Sequence, residues 1–376
     1  MFEIEELVKL AKRENNTKRS YLYVNPLQGK HIPVEPDRMK EMCKLLAELI
    51  LREHSKEKLL VIGFAETATA IAACVADNLS NALYFQTTTR EREQNDTDFI
   101  YFTESHSHAT EQFLNAKWFD DYLFMVDRIV FVEDEVTTGN TICKLIDAIN
   151  TKYNKKKINF SIASVLNSMS ESRLQEFKDN NIDCIFLMKL PFEYKVDTVV
   201  DLQENSKTMY EFIVADDSNM LDVYTIKGCV NPRYTCRFDD YRKGVNYLCA
   251  SIYEREFRDT QYNNMLVIGT EEFMYPAIEF ASYVQDRKRD MRIKTHSTTR
   301  SPIIAYDKND YPLTYRAKII SAYENERITY IYNLEPYDKV VIITDAKSDT
   351  VQNLKCLYDA LRSVGNENIS VYQWRV

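Results

Sequence analysis

Acidic side chains come directly after a run of apolar residues near the middle of the sequence. Residues 129–132 are apolar, and Glu133 and Asp134 follow them at once. An unbroken apolar run is typical of a strand that is covered on both faces, as in a parallel sheet. The two carboxylates are therefore predicted at the carboxyl end of a strand, where open α/β sheets bind their ligands.

A hydroxyl-rich loop completes this stretch and precedes apolar residues at helical spacing. The loop consists of Thr137, Thr138, Gly139, Asn140 and Thr141. Backbone N–H groups at a helix start, together with threonine hydroxyls, can bind a phosphate, and Gly139 allows the turn. A ribose 5-phosphate would offer two hydroxyls to the carboxylates and its phosphate to the loop. The alternative is an acidic strand end that only caps the next helix.

The stretch resembles the signature of the phosphoribosyltransferases, which use phosphoribosyl pyrophosphate. That signature has four apolar residues, an acidic pair and a Thr/Ser-Gly-x-Thr loop; here it reads IVFV, Glu133-Asp134 and TTGNT. Glu135 departs from it, because most members carry an aliphatic residue there. The resemblance implies that Glu133 and Asp134 are catalytic residues that hold the ribose hydroxyls, and that residues 137–141 bind the 5-phosphate.

A second anion site is predicted after an earlier apolar run, residues 59–62. Gly63, Phe64, Ala65 and Glu66 follow it and precede a helix, an arrangement that binds anions. In phosphoribosyltransferases this loop holds the pyrophosphate. Glu66 would orient the nucleophile or metal-bound water, or alternatively make a structural hydrogen bond at the helix start.

Thr89 and Arg90 come after the next apolar segment. A guanidinium there suits bidentate pairing with pyrophosphate oxygens and would stabilise the charge of the leaving group. The alternatives are an ordinary surface arginine, or the same role for Arg92.

Histidines occur in two further candidate segments. Glu104, His106 and His108 are predicted to lie on a mobile flap that closes over the phosphoribosyl donor. A metal site is the alternative, because residues two apart on a strand face the same way. His31, beside Lys30, would reach a ligand from a hood near the N-terminus, or would be a loop histidine that is only solvated or makes a cap.

Composition limits the class of protein. The chain has 376 residues, 45% hydrophobic and 28% charged, which predicts two globular domains. A net charge of −9 argues against a nucleic-acid polymer as partner. No apolar run resembles a secretory signal or spans a membrane, so a cytoplasmic protein with no membrane partner is expected. The eight scattered cysteines are expected to be reduced.

The second half of the sequence repeats the first. Asn25-Pro26 recurs as Asn231-Pro232, and Gly63 recurs as Gly269, both 206 residues later. Thr-Arg at 89–90 recurs at 299–300, and the strand-end aspartate at 134 recurs at 345. These matches predict an α/β protein with two doubly wound, mainly parallel-sheet domains, residues 1–205 and 206–376. The first is of the type I phosphoribosyltransferase type and the second is a diverged relative.

The segment TRSP at residues 299–302 spells the signature of the TRSP domain, which follows a particular phosphoribosyltransferase-like domain. The N-terminal half resembles that partner through GKHIPV, GFAETAT and ESHSHAT. Such proteins are associated with tellurium-resistance and stress gene clusters, where the resemblance implies synthesis of a nucleoside-like metabolite.

The second copy lacks the acidic pair and the TTGNT loop, so it is not predicted to be a second site of the same kind. It is expected to bind a different anionic ligand or to be a structural relic. The candidate residues are Glu271, Glu272, Thr299, Arg300, Ser301 and Asp345.

The expected activity is transfer from phosphoribosyl pyrophosphate, with Mg²⁺ carried by the donor, to an unknown small-molecule acceptor, with release of pyrophosphate. A homo-oligomer is compatible with the sequence. The alternative function is a regulator that binds phosphoribosyl pyrophosphate or a nucleotide without turnover. A phosphatase is disfavoured, because Val136 stands where a second aspartate would be needed.

Overall fold

The structure is a computed structural model that describes residues 2–14, 21–91, 98–103, 111–153, 157–191, 209–211, 220–307 and 310–376. In chain order, the described strands are β1 (Lys9–Lys12), β2 (Tyr21–Val24), β3 (Leu59–Gly63), β4 (Ala82–Thr87), β5 (Phe99–Thr103), β6 (Glu111–Asn115), β7 (Arg128–Val136), β8 (Asn159–Asn167), β9 (Ile182–Lys189), β10 (Met209–Glu211), β11 (Val223–Lys227), β12 (Cys236–Arg237), β13 (Asn264–Gly269), β14 (Arg292–Ser297), β15 (Arg316–Ile320), β16 (Ile328–Tyr332), β17 (Lys339–Thr344) and β18 (Ile369–Arg375). The described α-helices are α1 (Ile4–Leu7), α2 (Pro36–His54), α3 (Ala68–Asp77), α4 (Phe119–Leu123), α5 (Asn140–Lys152), α6 (Glu171–Asp179), α7 (Phe238–Glu256), α8 (Tyr275–Arg287) and α9 (Leu354–Ser363), the last preceded by a 3-10 turn, Val351–Asn353.

The chain forms two compact units. One, here called the N-terminal unit, consists of residues 40–194 and 230–244; the other, the C-terminal unit, consists of residues 1–39, 195–229 and 245–376. In the described part of the N-terminal unit, the main sheet has the order β12-β4-β3-β7-β8-β9. All neighbours are parallel except β12, which is antiparallel to β4. The mixed α/β fold with mainly parallel sheets agrees with the sequence prediction.

The central strands of this sheet are buried on both faces, which explains their unbroken apolar runs. Every residue of β3 is buried, and so are the first five residues of β7. Strand β7 is longer than the predicted run, because its ladder with β8 continues through Glu133 to Val136. The two acids therefore belong to the strand itself, in its half-buried final section.

The C-terminal unit also has a parallel sheet, with the order β11-β18-β17-β13-β14 among its described strands. Its four strands β14-β13-β17-β18 match β4-β3-β7-β8 in order and direction. Corresponding hydrogen bonds recur: the Thr88 N–H donates to the Gly63 carbonyl at 2.9 Å, and the Thr298 N–H donates to the Gly269 carbonyl at 3.2 Å. The C-terminal unit is thus a diverged relative of the N-terminal one.

Neither compact unit is one continuous stretch of the sequence. The segment with each Asn-Pro turn belongs to the unit formed mainly by the other half of the chain. Residues 1–39 belong to the C-terminal unit, where Val34 forms an antiparallel bridge with Thr295 of β14. Residues 230–244 belong to the N-terminal unit, where β12 pairs with the equivalent strand β4. The predicted boundary between residues 205 and 206 lies outside the described residues and stays a prediction.

Both Asn-Pro turns have the same local structure. The Asn25 side chain accepts the N–H of Leu27 at 2.8 Å, and the Asn231 side chain accepts the N–H of Arg233 at 3.0 Å. Side-chain to backbone bonds of this kind build tight turns without help from distant residues. The turns were therefore recognisable from sequence, whereas the sheet that each would join was not.

One histidine of the C-terminal unit predicts a pH dependence of stability. His296 on β14 is 1% exposed, with Nε2 2.7 Å from the Tyr332 carbonyl and Nδ1 3.3 Å from that of Gly29. Burial lowers the pKa of His296 from 6.5 to about 4, against the opposing effect of the two carbonyls. Between pH 6.5 and about pH 4, His296 therefore binds a proton in the unfolded chain but stays neutral in the folded chain. The folded state should lose up to about 3 kcal/mol as the pH falls toward 4.

Urea unfolding at a series of pH values would measure this effect, with His296→Gln as the comparison. The variant should show a flatter decline of unfolding free energy between neutral pH and about pH 4. An equal slope in both proteins would mean that the carbonyls keep the histidine as basic in the folded chain as in the unfolded one.

Among the described residues, no helix is long and apolar enough to cross a membrane. All eight cysteines are free thiols. Burial raises the pKa of the Cys143 thiol in the first turn of α5, which disfavours its reactive thiolate form. The cysteines therefore contribute to packing and not to a disulfide framework.

Candidate active site

Three parallel strands bring the predicted site residues of the N-terminal unit to one sheet edge. Strand β3 lies between β4 and β7, and its last residue, Gly63, is level with Thr87 on one side and Val132 on the other. The Phe64 N–H then donates to the Val132 carbonyl at 3.3 Å. The loop that begins at Phe64 is consequently flanked by the Thr88–Arg90 segment and by the acids that follow Val132.

Two buried polar residues hold the loop after β3. The Thr88 hydroxyl accepts the N–H of Ala65 at 2.8 Å and donates to the side-chain oxygen of Gln112 at 2.8 Å. Gln112, fully buried on β6, donates in turn to the Ala65 carbonyl at 2.8 Å. Both main-chain groups of Ala65 are thus satisfied by side chains, which fixes the loop for a ligand. The role of Gln112 was not predicted, because it depends on a long-range contact.

The loop also depends on close packing. A Cβ at Gly63 would lie 2.5 Å from the Ala72 Cβ and 3.1 Å from the Ala68 carbonyl oxygen, so α3 approaches the strand end too closely for a side chain. The peptide bond between Ala65 and Glu66 is cis. Glu66 is 5% exposed, so this predicted catalytic carboxylate is largely buried beside the start of α3.

The hydroxyl-rich loop ends at the start of α5, as predicted. Gly139 is the N-cap residue with a φ of 70°, and its carbonyl accepts the N–H of Cys143 at 3.0 Å. The Thr138 hydroxyl accepts the N–H of Asn140 at 3.3 Å. The first N–H groups of α5 and the threonine hydroxyls therefore lie at the same helix start, an arrangement that suits a phosphate.

An arginine that sequence reasoning missed braces this loop from α6. Arg173 donates from Nε to the Thr138 carbonyl at 2.8 Å and from a terminal nitrogen to the Asn140 side-chain oxygen at 3.1 Å. Its guanidinium also lies over the Phe177 ring, 4.6 Å from the centroid. Arg173 thus positions the loop of residues 137–141, and its spacing along α6 gave no signal of this.

Other predicted residues are placed differently. Glu104, His106, His108 and Arg92 lie outside the described residues. Lys30 and His31 belong to the C-terminal unit, where the Lys30 ammonium donates to the Glu271 carbonyl at 2.7 Å. Within the described part of the chain, no group of three or more His, Cys, Asp or Glu residues could hold a metal ion.

The predicted ligand residues of the C-terminal unit contact one another. Glu271 pairs with Arg300, and the Asp345 carboxylate accepts the Tyr323 hydroxyl at 2.6 Å. Thr299 and Glu272 are buried, while Ser301 is half-buried. These side chains occupy the sheet edge that corresponds to the candidate site of the N-terminal unit.

Two family models match this sequence. Residues 7–189 match a family described as "Phosphoribosyl transferase", and residues 237–361 match the "TRSP domain C terminus to PRTase_2". No curated protein matches the chain in sequence.

Solved structures with a similar arrangement include adenine phosphoribosyltransferases from Trypanosoma brucei and Leishmania tarentolae. The first is 10% identical, with 54% of this chain and 84% of that chain covered and a TM-score of 0.36; it holds AMP, pyrophosphate and ribose-5-phosphate. The second is 13% identical, with coverages of 53% and 90% and a TM-score of 0.35. Orotate phosphoribosyltransferase from Aeropyrum pernix is 16% identical, with coverages of 50% and 89% and a TM-score of 0.31.

The two family models cover both halves of the chain in the predicted order, and the first gives residues 7–189 the enzyme class of the phosphoribosyltransferases, which are pentosyltransferases. The chain is therefore a fusion of a phosphoribosyltransferase-family domain with a C-terminal TRSP domain.

Proposed function

We propose that the N-terminal unit transfers a phosphoribosyl group from phosphoribosyl pyrophosphate to a small-molecule acceptor and releases pyrophosphate. The observation that carries this proposal is the common sheet edge of three elements: the acids of β7, the loop after β3 and the Thr88–Arg90 segment. Phosphoribosyl pyrophosphate suits this edge, with its sugar at the acids and its pyrophosphate between the loop after β3 and the Thr88–Arg90 segment. Its 5-phosphate would reach residues 137–141, which follow β7.

Each element has its own task in the proposed reaction. Glu133 and Asp134 hold the ribose hydroxyls, and residues 137–141 bind the 5-phosphate at the start of α5. The loop of residues 63–66, with Thr89 and Arg90, holds the pyrophosphate as it leaves. Because the bond from the sugar to the pyrophosphate breaks, negative charge grows on the leaving group, where a fixed guanidinium stabilises it.

Positioning supplies much of the remaining acceleration in this proposal. A donor gripped at both phosphate ends presents the sugar carbon to the acceptor in one orientation, which removes most of the entropy cost of the encounter. Glu66, at the start of α3, would orient the acceptor. The flap with Glu104, His106 and His108 would close over the donor and exclude water.

The carboxylates at the end of β7 are of the type that Mg²⁺ prefers as ligands. Glu133 and Asp134 are half-buried carboxylates at the end of β7, and carboxylates with phosphate oxygens are the ligands that Mg²⁺ prefers. When bound with the donor, the ion would neutralise part of the pyrophosphate charge. The protein residues that would face it are these two acids.

Incubation with phosphoribosyl pyrophosphate, Mg²⁺ and a panel of nucleobases and other nitrogen compounds tests the proposal. We expect pyrophosphate release that depends on one class of acceptor. The competing proposal is a regulator, and tight binding of the donor without turnover across the whole panel would favour it. Absence of both binding and turnover would contradict both proposals.

The wider setting of the reaction also remains a proposal. A nucleoside-like product made in the cytoplasm would suit the tellurium-resistance and stress gene clusters with which similar fusions are associated. A homo-oligomer is compatible with it, and neither a nucleic-acid polymer nor a membrane is required. Growth of a deletion strain under tellurite, with and without the Asp134→Asn protein, would test that setting.

A further inference from the structure

Glu271 occupies the position in the C-terminal unit that Ala65 occupies in the N-terminal one. The Ala65 N–H donates to the Thr88 hydroxyl at 2.8 Å, and the Glu271 N–H donates to the Thr298 hydroxyl at 3.0 Å. Both residues stand two positions after the glycine that ends the strand. The corresponding loops are thus held in the same way, but one has a methyl group where the other has a carboxylate.

The Glu271 carboxylate is buried among cationic and hydroxyl groups. Its Oε2 is 2.7 Å from Arg300 Nε and 3.0 Å from a terminal nitrogen of Arg327. Its Oε1 accepts the Ser321 hydroxyl at 2.5 Å. The Glu271 side chain is 1% exposed, against 13% for Arg300 and 17% for Arg327. Two guanidiniums around one buried anion are the arrangement that proteins use to bind phosphate or carboxylate ligands.

The main chain of Glu271 is fixed in place as well. Its φ is 46°, a left-handed conformation that residues other than glycine, asparagine and aspartate rarely adopt. Its carbonyl accepts the Lys30 ammonium at 2.7 Å, and the Lys30 side chain is completely buried. The GKHIPV segment, predicted to serve the first site, therefore anchors this residue of the second.

Arg300 corresponds to Arg90, the guanidinium assigned to pyrophosphate in the N-terminal unit. Ala65 has no side chain that could pair with Arg90, whereas Glu271 pairs with Arg300 directly. We infer that the C-terminal unit retains an anion-binding subsite whose ligand is the chain's own Glu271 carboxylate. This internal anion excludes pyrophosphate from the described sheet edge of the C-terminal unit.

The inference explains which features the second copy kept and which it lost. The second copy kept Arg300, Thr298 and Gly269. In this inference they persist because they hold Glu271 in place. The C-terminal unit lacks the acidic pair and the TTGNT loop, and its strand-end Asp345 accepts the Tyr323 hydroxyl. The set of residues predicted to bind a second anionic ligand is thus, in part, an arginine site with its anion already present.

Pyrophosphate binding to the full chain tests this inference, with Arg90→Ala present throughout to weaken the first site. In that background we expect no saturable heat with inorganic pyrophosphate. Addition of Glu271→Gln keeps the size of the side chain but removes the internal anion, because the amide is neutral and one of its two ends donates where the carboxylate accepted. The resulting double variant should gain a pyrophosphate site at least about 100-fold tighter than any residual binding, because two charge-assisted contacts become available.

Two further variants separate this site from others. Glu272→Gln makes the same change one residue on and should gain no site, and Arg300→Ala added to the double variant should abolish the gain. A folded Glu271→Gln chain that gains no pyrophosphate site would overturn the inference. If that variant does not fold, the Arg90→Ala chain still decides: saturable pyrophosphate binding that is lost with Arg300→Ala contradicts the inference, and absence of binding supports it.

Discussion

Glu133→Gln and Asp134→Asn should each lower kcat/KM for phosphoribosyl pyrophosphate by about 10- to 100-fold, and together by about 1,000-fold. Both changes keep the size of the side chain and remove its charge. The ribose hydroxyls would lose charge-assisted hydrogen bonds, which contribute about 1.5–3 kcal/mol each. Positive charge also develops on the sugar as the bond to pyrophosphate breaks, so the carboxylates should matter more in the transition state than in the bound donor.

Glu135→Gln provides the matched control. It makes the same charge change on the same strand, one residue beyond the pair, at a position for which the family signature gives no ribose contact. Its kcat/KM should stay within about threefold of the unmodified chain, because no charge-assisted contact to the sugar is lost. An equal loss in all three variants would assign the effect to net charge at the sheet edge and not to a grip on the sugar.

Gly139→Ala should reduce turnover by about 100-fold and destabilise the fold. Two causes act together. The left-handed φ of 70° costs a non-glycine residue about 1–2 kcal/mol, and the new Cβ would come within 2.6 Å of the Phe177 ring. Because the loop starts α5, relief of that clash moves the N–H groups that we propose bind the 5-phosphate, and small displacements of such groups cost about 100-fold in rate. Steady-state kinetics and urea unfolding would measure the two effects.

Gly228→Ala is the control that separates the backbone strain of a positive φ from the steric clash with Phe177. Gly228 also has a positive φ, 97°, but a Cβ there would meet nothing within 4 Å. This variant should show only the cost in stability, with unchanged kinetics. If Gly139→Ala also lost stability alone, the loop would not be the phosphate site.

The sequence predicted the sheets well because their signals are local. The buried strands β3 and β7 are continuous apolar runs, and the helices after them have apolar residues at helical spacing. The repeat was recognisable from glycines and Asn-Pro turns, whose backbone requirements are local too.

Long-range choices could not be read from the sequence. Val34 on one segment and Cys236 on the other pair with strands of equivalent sheets, and no local pattern states which sheet each segment joins. Gln112 and Arg173 act through contacts with residues far along the chain. Their roles depend on contacts that form only in the folded chain.

The sequence also contains a signal of the internal ion pair in the second copy. The offset of 206 residues that aligns Gly63 with Gly269 also aligns Ala65 with Glu271. A carboxylate gained opposite a retained arginine is the pattern expected of an internal ion pair. The structure shows that pair at 2.7 Å, which supports the inferred internal anion of the second copy.

The most direct test of the central claim is a crystal structure of the chain with ribose 5-phosphate and pyrophosphate. The account predicts the phosphate at residues 137–141, the ribose hydroxyls at Glu133 and Asp134, and pyrophosphate between residues 63–66 and Arg90. Sugar and phosphate bound away from the carboxyl end of β7, or pyrophosphate bound at Arg300 with Glu271 displaced, would contradict it.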